Sequence, residues 1–406
     1  MYNNLTKSHF INSVITLAGG TASAQLIYLI SLPILSRLYT PDSFGYMAIF
    51  SSIVAITNVI ATGRYEEAII ACKTNKIANV LALLIYRLSI VIALSSLFLG
   101  LLYFFVMGRN NTSLLVAVLG APIGIFLNAN YLSFYYLNNK LQNYKIMTRG
   151  RVWGATSTSF VSVLLGMNDI FKDSGLILGI ICGLFINYYY LKLRTTNYDR
   201  DKFTEKQILA VAKLFKRFPK ILVFSSFLDR LGSQFHVMVF SSFFSAEATG
   251  SLALHNRVVS LPIVIIARSI GDVFKRKASD SLNSHGMCLS EFKKAVTILA
   301  IVAAPISIIL FFFGPILFVI VFGDEWKQAG EISSILAFNF FLAFVVSPIS
   351  SLIYLGKNQK FDIFIQMLLL FLLVSTMGYS VLEKNLMFAV YSYAVSYCLK
   401  FLMEFF

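Results

Sequence analysis

The residues with the clearest chemical potential are arginines that interrupt long apolar runs. They are Arg64, Arg87, Arg230, Arg257 and Arg268. An ionisable side chain inside a membrane span is costly, so it usually faces a cavity or a partner. A guanidinium stays protonated when desolvated and donates two parallel hydrogen bonds to a phosphate group. These arginines therefore predict a binding site for an anion, and the chemistry suits one that carries phosphate.

The spacing of these arginines places them at different depths. Arg257 and Arg268 are eleven residues apart, and eleven steps of about 100° return them to one helix face, about 16 Å apart. Arg230 lies ten residues after Lys220, which is about 15 Å along an α-helix. A pyrophosphate group could then be passed from one guanidinium to the next.

Small polar side chains accompany the arginines. Around Arg230, serine, aspartate and glutamine recur at intervals of four or eight residues, which places them along one side of a helix. The first apolar run carries a milder stripe of the same kind. We expect the following residues to line a cavity: Asn12, Thr16, Ser226, Asp229, Ser233 and Gln234.

Local pairing is the alternative explanation for each arginine. Asp229 adjoins Arg230, and Asp272 lies one turn after Arg268. Arg64 and Arg257 could extend to the two membrane interfaces instead. For a single arginine the two explanations remain open. For the group, five basic residues against two acidic ones favour a hydrated, cationic cavity and an anionic cargo.

Catalytic and metal-binding patterns are not evident in the sequence. The cysteines Cys72, Cys182, Cys288 and Cys398 form no CxxC pair, and the four histidines are scattered. There is no arrangement typical of a hydrolytic triad, a phosphate-cradling glycine loop or a set of metal ligands. We therefore expect neither an enzyme nor a cofactor or metal site.

The elements that must position these residues are membrane-spanning helices. The chain of 406 residues is 57% hydrophobic and 13% charged, whereas about a quarter of a soluble domain is charged. Apolar runs of about 20 residues indicate spans, because hydrocarbon cannot satisfy an open backbone. The sequence predicts an all-α integral membrane protein with about twelve transmembrane helices. They are 10–36, 44–63, 79–106, 114–137, 148–166, 175–192, 221–243, 248–274, 295–322, 331–355, 361–382 and 385–404.

The distribution of basic residues predicts the orientation. With residue 1 on the cytoplasmic side, the predicted inside segments hold 24 Lys and Arg and the outside segments hold 5. Cytoplasmic loops carry such an excess, so both termini are expected in the cytoplasm. The net charge of +15 has the same explanation, and nucleic acid is not an expected partner.

A basic segment divides the chain into two halves. We predict a six-helix bundle over residues 1–193, a cytoplasmic linker over 194–220 and a second six-helix bundle over 221–406. The linker is amphipathic at helical spacing and suits the inner membrane surface. Asp42-x-x-Gly45-x-x-Ala48 recurs as Glu247-x-x-Gly250-x-x-Ala253 at the equivalent place in the second half. This recurrence indicates parallel repeats about an axis along the membrane normal.

Four stretches resemble a known family, the bacterial polysaccharide and O-antigen flippases. QLIYLISLPILSRLYTPDSFGYMAIFSSI, from Gln25 to Ile53, resembles the first hairpin of that family, and Arg64-Tyr65-Glu66 matches its "RYE" motif. NRVVSLPIVIIARSIGDVFKRKAS, residues 256–279, and FGDEWKQAG, residues 322–330, resemble two later segments. Lys275-Arg276-Lys277 departs from the family pattern, which has an aromatic residue and a proline there.

The resemblance implies a fold and a function. The fold is that of the multidrug/oligosaccharidyl-lipid/polysaccharide exporter superfamily, with two MATE-like six-helix bundles and alternating access. The implied cargo is an undecaprenyl-pyrophosphate-linked oligosaccharide repeat unit of O-antigen or capsule, moved to the periplasmic leaflet of the bacterial inner (cytoplasmic) membrane. A polymerase and a chain-length regulator are conceivable partners, and a monomer suffices. Arg64 and Arg257 lie in matched segments, whereas Arg87, Arg230 and Arg268 depend on the burial argument.

Two other functions fit the sequence less well. A multidrug or toxin exporter of the same fold, driven by Na⁺ or H⁺, needs buried carboxylates, and the two candidates, Asp229 and Asp272, both lie next to arginines. A membrane polymerase or acyltransferase needs a large outer loop or a catalytic constellation. The predicted outer loops are short, and His236 and His255 have no obvious carboxylate to orient them.

Overall fold

The computed structural model consists of helices. It describes residues 2–107, 112–196, 203–285, 287–350 and 359–405, and every element in these ranges is a helix. The predicted all-α class is therefore confirmed. The side chain of Asn12 and that of Asp272 lie outside the part of the chain whose side chains are described.

The helices of the first half follow the predicted apolar runs. They are α1 (Tyr2–Leu38), α2 (Pro41–Thr62), α3 (Tyr65–Ala71), α4 (Asn75–Met107), α5 (Thr112–Lys140), α6 (Tyr144–Gly166) and α7 (Gly175–Arg194). A short 3₁₀ turn, Asp169–Phe171, connects α6 to α7.

The second half begins with a short helix in the predicted linker. Its helices are α8 (Glu205–Leu214), α9 (Val223–Phe243), α10 (Ala246–Pro262), α11 (Arg268–His285), α12 (Leu289–Phe322), α13 (Lys327–Ile335), α14 (Ala337–Val346), α15 (Gln359–Leu382) and α16 (Leu386–Phe405).

Length and composition identify the spans directly in part of the chain. Among the described residues, eight helices are long and apolar enough to cross a membrane, or nine if the bent pair Asp324–Ile335 and Ala337–Val346 forms one span. Three predicted spans coincide with α6, α9 and α10, which do not meet that test. The count of twelve and the orientation of the termini stay predictions. The three exceptions are the polar helices, and a polar helix of a membrane protein faces protein or a hydrated cavity.

The chain forms two compact units that are not consecutive in sequence. The first contains Met1–Tyr39 and Tyr46–Leu231, and the second contains Thr40–Gly45 and Gly232–Phe406. The predicted boundaries of bundles and linker were drawn from charge and remain a prediction.

In the first unit, α6 and α7 approach closely because small residues face each other. A Cβ atom on Gly179 would meet the hydroxyl of Ser162, and one on Gly183 would meet that of Thr158. Small residues four apart allow such close helix packing in membranes, where lipid offers no hydrophobic drive for association.

The linker helix α8 packs on the protein. Its first turn is closed by the Gln207 side chain, which accepts a hydrogen bond from the Thr204 backbone N–H at 3.2 Å. Ile208 is 3% exposed and contacts Val80 and Leu83 of α4. The sequence pattern had suggested that this apolar face lies on the membrane surface. In the structure, Ile208 of this apolar face packs against α4 instead.

In the second unit, the repeated Asp/Glu-x-x-Gly-x-x-Ala motifs meet each other. A Cβ on Gly45 would collide with the backbone carbonyl of Ala246, and one on Gly250 would collide with that of Pro41. The beginnings of α2 and α10 therefore pack backbone to backbone. Beside them the ring of Phe44 meets Trp326 edge to face at 4.8 Å, and Trp326 is fully buried.

Two π-helical segments interrupt the helices near prolines. They are Phe218–Leu222, which contains Pro219, and Ile263–Ala267, which follows Pro262. Proline removes a backbone N–H and clashes with the preceding turn, so the hydrogen-bond ladder rearranges there. The second segment lies between Arg257 and Arg268. The angular count that placed both arginines on one α-helical face assumed a regular helix and does not apply.

Candidate functional site

Arg64 lies in a tight connection between α2 and α3. Gly63 and Arg64 both have positive φ angles, 57° and 56°, so the chain turns sharply before α3. The guanidinium of Arg64 forms ion pairs with Glu66 at 3.2 Å and with Glu67 at 2.6 Å. One cation thus faces two carboxylates.

Glu66 is an acid that sequence reasoning left out of the charge balance. It is 2% exposed, and burial raises the pKa of its carboxyl group while the neighbouring Arg64 opposes that rise. Glu66 and Glu67 come two and three residues after Arg64 and lie just beyond the predicted second span. Counting only Asp229 and Asp272 therefore overestimated the positive charge available at Arg64.

Arg87 of α4 is held by an acid from the linker. Its guanidinium contacts a carboxylate oxygen of Glu205 in α8 at 2.7 Å, and both side chains are substantially exposed. Exposed pairs of this kind contribute about 0–1 kcal/mol. Arg64 and Arg87 therefore engage separate carboxylates.

The other three predicted arginines differ in exposure. Arg230 and its neighbour Asp229 are exposed, Arg257 is half-buried and Arg268 is exposed. Arg230 belongs to the first unit, whereas Arg257 and Arg268 belong to the second.

The polar residues expected to line a cavity are mostly half-buried. Thr16, Ser226, Ser233 and Gln234 all have intermediate exposure. The backbone carbonyl of Thr16 accepts a hydrogen bond from the Thr148 hydroxyl at 3.0 Å, so α1 is tied to α6 at this level. The assignment of these residues, and of the five arginines, to a substrate remains a prediction.

A different arginine, Arg151 of α6, occupies the most distinctive electrostatic position in the first unit. It donates to the hydroxyl of Thr21 at 2.5 Å and to that of Tyr135 at 2.6 Å. Its guanidinium carbon also lies 4.6 Å from the Tyr135 ring centroid. Three helices, α1, α5 and α6, thus hold one half-buried cation.

The partners of Arg151 are neutral, so its charge is not cancelled. Among the described residues, no carboxylate pairs with it. A guanidinium has five N–H donors, and the two hydroxyls take only two of them. The charge, the stacked ring and the remaining donors suit a phosphate group.

Sequence reasoning missed Arg151 because it counted this residue with the cytoplasmic charges at the start of a span. The structure begins α6 at Tyr144, which places Arg151 well inside the helix. The tyrosine pair Tyr135 and Tyr136 at the end of the preceding span was the one hint in the sequence. No linear motif shows that this pair lies next to Arg151 in space.

The helix arrangement defines a fold class, which this chain shares with solved structures of a lipid II flippase and of MATE transporters. The lipid II flippase MurJ, in an inward closed conformation, superposes with a TM-score of 0.75 at 12% identity, over 96% of this chain and 86% of that one. An inward-facing MATE family multidrug resistance transporter of the MOP superfamily gives 0.60 at 14% identity, over 94% and 93%. A mutant of the Vibrio cholerae MATE transporter VcmN gives 0.58 at 15% identity, over 99% and 96%. The predicted MATE-like architecture is confirmed.

A sequence comparison identifies the family within that class. The model of a family described as "Polysaccharide biosynthesis protein" matches residues 34–331. No curated protein sequence matches the chain. Since the family model covers more than half of the chain, the protein belongs to this polysaccharide biosynthesis family, and the resemblance noted in the sequence is confirmed.

Proposed function

We propose that this protein is a flippase that moves an undecaprenyl-pyrophosphate-linked oligosaccharide repeat unit across the bacterial inner membrane. The repeat unit belongs to O-antigen, capsule or another exopolysaccharide, and it travels from the cytoplasmic to the periplasmic leaflet by alternating access. The protein binds and moves this lipid without making or breaking a covalent bond in it. A polysaccharide polymerase and a chain-length regulator are the partners expected downstream.

This proposal depends on two findings together, the polysaccharide biosynthesis family and the fold shared with a lipid II flippase. The family model describes polysaccharide biosynthesis, and the fold is shared with a lipid II flippase over nearly the whole chain. A membrane transporter in polysaccharide synthesis has an evident task, because the sugar unit is too polar to cross hydrocarbon unaided.

Arg151 supports an anionic head group for the cargo. A cation held by neutral hydroxyls keeps its charge for a ligand, whereas Arg64 and Arg87 already face carboxylates. We therefore assign pyrophosphate binding in the first unit to Arg151. In the second unit we retain Arg257 for this role, because it is half-buried and lies in a segment that resembles the flippases.

Purified protein in vesicles tests this function directly. We expect it to move a fluorescent undecaprenyl-pyrophosphate-linked oligosaccharide between leaflets, and Arg151→Gln and Arg257→Ala to slow that movement by about tenfold or more, since charge-assisted hydrogen bonds contribute roughly 1.5–3 kcal/mol each. Arg149→Gln is the matched control, because it removes the same charge from an exposed position on the same helix.

Two results would count against the proposal. Protein that inserts and folds but does not move the lipid would reject the flippase function. Equal loss of transport in Arg149→Gln and Arg151→Gln would reject the binding role of Arg151, since net charge alone would then explain the effect.

A multidrug exporter is the second candidate, favoured by the fold shared with MATE transporters. Glu66 adds a buried carboxylate that a cation exporter would need, although Arg64 already compensates it. Drug-resistance profiling of cells with and without the protein separates the two functions. A broad loss of resistance to cationic drugs, with polysaccharide output unchanged, would support the exporter.

A further inference from the structure

A cavity lined by both polar and apolar residues lies within the second unit. Its volume is about 170 Å³. Helices α10, α14 and α16 and the π-helical segment line it. The polar lining residues are His255, Asn256, Ser260, Asn339, Tyr393 and Tyr397.

Hydrogen bonds fix the state of His255 at the cavity wall. Ser333 donates its hydroxyl proton to the backbone carbonyl of Ala329 at 2.7 Å. The same hydroxyl oxygen therefore accepts from the His255 Nδ1–H, at 2.8 Å. Nδ1 therefore carries a proton, and in the neutral ring Nε2 is left as an acceptor. His255 is 3% exposed, and no other described residue bonds to that nitrogen.

The two asparagines add complementary groups. The Asn256 side-chain N–H donates to His236 Nε2 at 3.3 Å, which leaves its carbonyl oxygen as an acceptor. The carbonyl oxygen of Asn339 accepts from the Cys398 thiol at 3.3 Å, which leaves its NH₂ group as a donor. The cavity thus presents both donors and acceptors, and a buried polar group without a partner is costly.

Aromatic rings complete the wall. Tyr393 packs against Tyr397 with ring centroids 4.7 Å apart, and both line the cavity. Every lining residue is uncharged, so no opposite charge there offsets the desolvation of an ion. Neutral donors and acceptors beside aromatic faces suit a neutral, polyhydroxylated ring.

The size of the cavity limits the ligand. At about 30 Å³ per water it holds roughly five or six waters, and it is smaller than the 300–1,000 Å³ of drug-sized sites. One pyranose ring displaces a water cluster of this size, whereas a whole oligosaccharide exceeds the volume of the cavity.

From these observations we propose that the cavity is a subsite for a single neutral sugar ring. This inference rests on the proposed function and deepens it, because it gives the second unit a role in recognising the glycan of the cargo. His255 Nε2 and the Asn256 carbonyl accept from sugar hydroxyls, the Asn339 NH₂ donates to one, and the tyrosine rings pack on the C–H face.

Binding of free sugars tests the subsite without any need for transport. Purified protein in lipid nanodiscs is mixed with neutral hexoses and N-acetylhexosamines at millimolar concentration and followed by saturation-transfer NMR. We expect at least one sugar to bind. Asn339→Leu and the cavity-filling Ala343→Leu should weaken it at least fivefold, since each removes a hydrogen bond or the space for the ring.

The matched pair Tyr393→Leu and Tyr391→Leu controls for unspecific effects, because each change removes an aromatic ring. Both residues lie on α16, but Tyr391 is exposed and does not line the cavity. Weaker sugar binding in Tyr393→Leu alone supports the subsite. No binding of any sugar to the wild type, equal effects of the paired variants, or stabilisation by Na⁺ alone instead of a sugar would overturn it.

Lipid transport separates this inference from the proposed function. Undecaprenyl pyrophosphate with and without one attached sugar is offered to protein in vesicles. Ala343→Leu should slow the sugar-bearing lipid selectively. Sugar binding without transport of either lipid rejects the flippase function and keeps the subsite, whereas transport without sugar selectivity or sugar binding rejects the subsite and keeps the function.

Discussion

Each arginine side chain in this protein is defined by the groups that surround it. Arg64 is bound by Glu66 and Glu67, and Arg151 is held by two hydroxyls. The residue type is the same, but the first forms part of a compensated turn and the second retains its charge for a ligand. The groups that bind each guanidinium, carboxylates or hydroxyls, therefore distinguish these arginines more clearly than burial does.

The Arg64–Glu66 pair predicts a pH-dependent stability. Burial raises the folded-state pKa of Glu66, so the stabilisation from its protonated form is present at low pH and is lost as pH rises through that pKa. Arg64→Met removes the compensating cation. We expect it to lower the free energy of unfolding by about 1–3 kcal/mol at pH 8 and by less at pH 5, because a protonated Glu66 needs no cation.

Thermal unfolding in detergent at both pH values measures this effect. The double variant Arg64→Met with Glu66→Gln should recover much of the lost stability at pH 8. An equal loss at both pH values, without rescue in the double variant, would show that Arg64 acts through packing and not through charge.

Among the helices, the contact between the beginnings of α2 and α10 is the most sensitive to substitution. Gly250→Ala should destabilise the protein, because the new methyl group would collide with the Pro41 carbonyl and backbone cannot move aside cheaply. Gly378→Ala in α15 is the control, since a Cβ there meets nothing within 4 Å. It should be neutral or stabilise by up to about 1 kcal/mol through helix propensity.

The melting temperatures of the two purified variants check this prediction. If Gly250→Ala is as stable as Gly378→Ala, the two helix ends are not in close contact in the protein.

The sequence predicts the helices well, because a long apolar run in a membrane must form a helix to satisfy its own backbone hydrogen bonds. It also predicts that the Gly45 and Gly250 motifs are equivalent, although not that they touch. The π-helical segment Ile263–Ala267 was not predictable, because a proline disturbs a helix in several ways. The setting of Arg151 and the cavity at His255 depend on contacts between helices, which leave no periodic pattern in the chain.

For the whole molecule, charge asymmetry predicts the orientation in the membrane. With the four native cysteines replaced, a cysteine introduced at Lys206 should be labelled by an impermeant maleimide only from the cytoplasmic side. One introduced at Lys384 should be labelled only from the opposite side. Both positions are exposed, so accessibility within the protein does not limit labelling.

Labelling of intact spheroplasts and of inverted vesicles reads out this orientation. The reverse pattern would place the 24 predicted cytoplasmic basic residues outside, contrary to the positive-inside rule. Labelling of both positions from one side would contradict the predicted odd number of spans between them.

The membership of Thr40–Gly45 in the second unit has a consequence for biosynthesis. Residues 40–45 leave the ribosome early in synthesis. The residues that they pack against, Ala246 and Trp326, are translated much later. Until Ala246 and Trp326 have been synthesised, Gly45 and the Phe44 ring of the first helical hairpin lack their packing partners. A chain truncated before residue 246 would lack the residues that pack against Gly45 and Phe44.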